Sequence, residues 1–172
     1  MSNQGTYAHL LKALLKGIQC DDNVNTQELI ALKETLLTNR YVDNQEATLL
    51  FDLQGKIGES AKEVFHDLFV DGITSYLLNG HDSPGTLSAQ QFVWLQECVS
   101  KDHRYSELES DLLKNIVIKA EKLPPNFYEW VRHLEIHLMD FKGDLDELEY
   151  EQRTSFMVEL KALLAKYFPE KI

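Results

Sequence analysis

Two stretches of this chain align with each other without a gap at one offset of 63 residues: Val24-Asn25-Thr26-Gln27-Glu28-Leu29-Ile30-Ala31-Leu32 falls on Leu87-Ser88-Ala89-Gln90-Gln91-Phe92-Val93-Trp94-Leu95. The register persists on both sides. Leu14-Leu15-Lys16-Gly17 matches Leu77-Leu78-Asn79-Gly80, Asp43-Asn44-Gln45-Glu46 matches Ser106-Glu107-Leu108-Glu109, and Leu49, Leu50 and Leu53 match Leu112, Leu113 and Ile116. A repeat of this length constrains the fold strongly, because a recurring unit must bury the same faces twice. Each copy reads as a helix, a polar loop and two shorter helices, copy 1 over about 7–56 and copy 2 over about 61–121. Such a unit buries its apolar faces poorly alone. The two copies are therefore expected to pack about a pseudo-twofold as one bundle, capped by a C-terminal helical pair at 126–168, in a single all-α domain over 1–172. Gly143 stands 63 residues beyond Gly80, but the pattern after it needs an inserted residue, so a third copy is not counted.

Helix starts are marked by a recurring local device. An oxygen-bearing side chain with Glu or Gln three residues on forms a capping box, in which each side chain satisfies a backbone N–H that the first helical turn leaves unpaired. The pattern occurs at Asn25/Glu28, Asp43/Glu46, Ser60/Glu63, Ser88/Gln91, Ser106/Glu109, Asn126/Glu129 and Asp146/Glu149, each ahead of an apolar periodic run. These pairs predict helices beginning near Thr26, Asn44, Ala61, Ala89, Glu107, Phe127 and Glu147. With a first helix from Tyr7 to about Gly17, the count is about eight. Apolar stripes follow: Val64, Phe65, Leu68, Phe69, Ile73, Tyr76 and Leu77 on the fourth helix, Phe127, Val131, Leu134, Leu138 and Phe141 on the seventh, and Phe156, Leu160, Leu163 and Leu164 on the last. Pro124-Pro125 ends the sixth helix.

The 28 acidic residues against 17 basic ones give a net charge of −11. A phosphate backbone is repelled by such a surface, which argues against nucleic acid and for a basic protein partner or a basic patch on a membrane-associated one; solubility alone also accounts for much of the charge. Cys20 and Cys98 stand at non-equivalent repeat positions outside any CxxC, so two thiols in a reducing compartment are expected. The N-terminus lacks a basic region followed by an unbroken apolar one, and no run approaches the ~20 apolar residues of a membrane span. A cytoplasmic location follows as the expectation.

The loop Asp21-Asp22-Asn23-Val24-Asn25-Thr26-Gln27-Glu28 resembles a calcium loop only in part. Counting from Asp21, the position that needs glycine is Thr26 and the one that needs a bidentate Glu is Leu32, so it is no EF-hand. Asp21, Asp22 and Glu28 nevertheless gather three carboxylates, the oxygen donors that hard divalent cations prefer. The competing reading gives Glu28 and Asn25 to the helix cap and leaves the Asp residues solvated.

At this loop the chain resembles the tellurite-resistance TerB-like family. The shared layout is an acid, glycine, Ile or Val two residues on and Glu four beyond that, followed by Leu-x-x-Leu, in two copies across about Leu10 to Glu121. Asp21, Val24 and Glu28 match in the first copy, with Asp22 in place of the glycine; Gly85, Leu87 and Ser88 match in the second, with Pro84 where the acid belongs and Gln91 where the Glu belongs. The resemblance implies an all-α, non-enzymatic cytoplasmic protein that works in bacterial stress-response or defence complexes near the membrane. It implies no cofactor beyond a weakly bound divalent cation, with the first copy keeping the site.

His133, His137 and Asp140 share one face of the seventh helix, a spacing that suits a transition metal through imidazole nitrogens and equally suits boundary residues. The neighbouring Glu135 is misplaced for an H-E-x-x-H zinc motif. Trp94 replaces Ala31 and reads either as core filling or as an aromatic anchor for a partner. No G-x-S-x-G, phosphate-cradling glycine loop or CxxC is present, so an enzyme is not expected. Three functional readings remain open: an acidic helical binding scaffold, a metalloprotein or enzyme centred on His133, His137 and Asp140, and an acidic mimic that occupies a nucleic-acid-binding protein.

Overall fold

The computed structural model of the chain describes Gln27, Leu29, Ile30, Glu34, Val42, 44–54, Ile57, 61–79, 84–100, 106–140, Gly143 and 145–171. Six α-helices run through these residues: α1 (Asn44–Leu53), α2 (Lys62–Asn79), α3 (Ala89–Ser100), α4 (Glu107–Lys119), α5 (Phe127–Asp140) and α6 (Glu147–Tyr167), with a 3-10 turn at Pro169–Lys171. About eight helices are expected from the sequence. The first of them lies outside the described residues, and the second is represented by Gln27, Leu29, Ile30 and Glu34, all helical. Outside the helices, Thr86 and Lys122 form a parallel bridge.

Most of these helices start where the sequence places them. α1, α3, α4, α5 and α6 begin on the residues that the boxes mark, and α2 begins one residue late because Ala61 belongs to a 3-10 turn. At α4 the Glu109 N–H donates to Ser106 Oγ at 3.2 Å and the Ser106 N–H donates to Glu109 Oε2 at 3.0 Å. At α6 the Glu149 N–H donates to Asp146 Oδ1 at 2.7 Å and the Asp146 N–H to Glu149 Oε2 at 3.4 Å. α3 departs from the scheme: the Gln91 N–H donates to Ser88 Oγ at 3.2 Å, but the Ser88 hydroxyl, not its backbone N–H, donates to Gln91 Oε1 at 3.1 Å. The boxes at Asn25, Asp43 and Ser60 lie outside the described residues.

The chain divides into two compact units, Met1–Gly80 and His81–Ile172, where the sequence predicts one bundle. In the first unit α1 packs on α2. The Phe51 ring meets Phe69 edge-on at 5.0 Å, Phe65 lies 5.8 Å from Phe69, and Asn44 Nδ2 donates to the Tyr76 hydroxyl at 2.8 Å. Gly72 allows the two helices to approach: a Cβ there would meet Leu50 Cδ1 at 3.1 Å. The repeat alignment gives α2 to the second copy, yet it folds with α1 in the first unit.

In the second unit α6 lies against both α4 and α5, burying Met157, Leu160 and Leu164. Phe92 of α3 joins Phe127 and Trp130 of α5 in a triangle of rings 5.3 to 5.6 Å apart. The burial pattern returns at the 63-residue offset: Leu29 and Phe92, Glu46 and Glu109, Ala47 and Ser110, Leu49 and Leu112, Leu50 and Leu113, and Leu53 and Ile116 are all buried, while Ile30 and Val93 are both exposed.

Candidate functional site

The loop before α3 stands 63 residues after the acidic loop at 21–28, and its polar atoms serve the backbone. Gly85 adopts φ +80°, a conformation that glycine enters without strain. Its carbonyl accepts the N–H groups of Glu121 at 2.7 Å and Lys122 at 3.2 Å, and the Leu87 N–H donates to the Lys122 carbonyl at 3.1 Å. These bonds fasten the entrance of α3 to the exit of α4. A Cβ at Gly85 would stand 3.0 Å from Glu121 Cγ, so a side chain there would also push the glutamate aside. With Ser88 and Gln91 engaged in the α3 cap, this loop offers a hard cation far fewer oxygens than the acidic loop would. Asp21, Asp22 and Glu28 themselves lie outside the described residues.

His133, His137 and Asp140 are all exposed along α5. Among the described residues no group of three or more His, Cys, Asp or Glu side chains is disposed to hold a metal ion. Cys98 is half-buried, and Cys20 lies outside the described residues. Trp94 is half-buried, so the aromatic core role falls instead to Phe92, Phe127 and Trp130. Trp130 falls on the same helix side as Phe127 and Leu134 once a buried arc wider than a heptad seam is allowed, and that was the available signal.

Two ion pairs link α6 to its neighbours beside the buried contacts. Lys161 Nζ lies 3.0 Å from both carboxylate oxygens of Glu135 on α5, and Lys114 Nζ of α4 lies 2.7 Å from Glu159 Oε2. Lys114 also approaches Asp111 Oδ1 at 3.4 Å and sits 5.3 Å from the centroid of the Phe156 ring. Burial works to lower the pKa of Lys114, but the Glu159 hydrogen bond and the charges of Asp111 and Glu159 outweigh it and hold the ammonium above its ordinary value. Partners 26 and 45 residues apart leave no local sequence signal.

On the remaining surface, large apolar side chains stand in the open: Ile136 and Met139 on α5, and Leu148 and Val158 on α6. No helix among the described residues is long and apolar enough to cross a membrane. Comparison of the chain with family models, curated proteins and solved structures gives no match.

Proposed function

We propose that the chain is a non-enzymatic, TerB-like helical scaffold, built from a duplicated unit, that binds a basic or membrane-associated protein in a bacterial stress-response or defence complex. The observation that carries this reading is the exposure of Ile136, Met139, Leu148 and Val158 on helices of a chain with net charge −11. Apolar side chains set among acids suit a partner that brings both a greasy anchor and positive charge. The matching burial at the 63-residue offset supports the duplication.

The test is recovery of tagged chain from its own cells at low salt. One stoichiometric partner of positive net charge, released as salt rises, is the expected outcome; no stoichiometric partner, or one indifferent to salt, counts against the reading. The same scaffold carries a weak divalent-cation site at Asp21, Asp22 and Glu28. Calcium or magnesium at a hundred times its Kd should then stabilise the fold by about 2.7 kcal/mol. The rise in melting temperature should vanish in the combined Asp21→Asn, Asp22→Asn, Glu28→Gln variant, and a wild-type Tm unmoved by either ion removes the site.

A further inference from the structure

We draw no further inference here: the strongest candidate, the exposed face of α6 bearing Leu148 and Val158 together with Ile136 and Met139 on α5, carries nothing beyond the reading above because nothing in the structure shows what covers it.

Discussion

Ser110 is wholly buried on α4 with its hydroxyl unpaired, and the residue 63 positions earlier, Ala47, is equally buried without one. An unsatisfied buried hydroxyl costs ~1–3 kcal/mol, and alanine is also the better helix former. Ser110→Ala should therefore leave stability unchanged or raise it by about 1 kcal/mol, read as the urea midpoint at constant m-value. A clear loss would mean that the hydroxyl has a partner. Gly85 predicts the opposite sign. Its φ of +80° and the 3.0 Å approach of Glu121 Cγ both oppose a side chain, so Gly85→Ala should cost ~1–3 kcal/mol. Adding Glu121→Ala should recover only part of that cost, because trimming the glutamate relieves the contact and leaves the backbone strained. Full recovery would place the whole penalty in the contact. At the 63-residue offset in the sequence, Asp22 stands at the position of Gly85 and Gly58 at that of Glu121.

At the scale of the helix, the caps and the ion pairs differ in how far apart their partners lie along the chain. The box at Ser106 joins residues three apart, so it is legible in the sequence, and Ser106→Ala should lower stability by ~1 kcal/mol in denaturant melts. The helix starts were readable for this reason: capping is settled within one turn. The ties from α6 to α4 and α5 were not readable, since residue identity does not reveal that Lys114 meets Glu159 or that Lys161 meets Glu135. A constant offset likewise shows which stretches align and not which ones pack together: α2 falls in the same unit as α1. Lys114 also carries a pH signature. Its folded pKa lies above the unfolded value of 10.5, so its contribution is fully present below that pH and is lost as pH rises through the folded value. Wild type should therefore lose more stability than Lys114→Met on going into that alkaline range, whereas near neutrality the Lys114–Glu159 coupling in a double-mutant cycle should stay under about 1 kcal/mol, since Glu159 is largely exposed. Identical alkaline profiles would show that the lysine gains nothing from its partners.

For the molecule as a whole, the division at Gly80 turns the question of stability into one about parts. The second unit, about 90 residues long, contains α3 to α6, the aromatic triangle and both ion-pair ties to α6. A chain of that size lies above the range of roughly 55–65 residues in which many domains already fold alone. Its helices also carry their own caps, at Ser88, Ser106 and Asp146. Residues 81–172 produced alone should accordingly be helical by circular dichroism and melt cooperatively, with a transition weakened by Phe92→Ala. That substitution should cost ~3–5 kcal/mol, because it removes one ring from the buried triangle and opens a cavity between α3 and α5. If the fragment were unfolded, or melted without cooperativity, its core would depend on residues 1–80, and the whole chain would then have to unfold in one step. If it folds, the full-length protein has two cores to lose, and Phe92→Ala should lower one part of its melting curve while leaving untouched the part that reports on the α1–α2 pair.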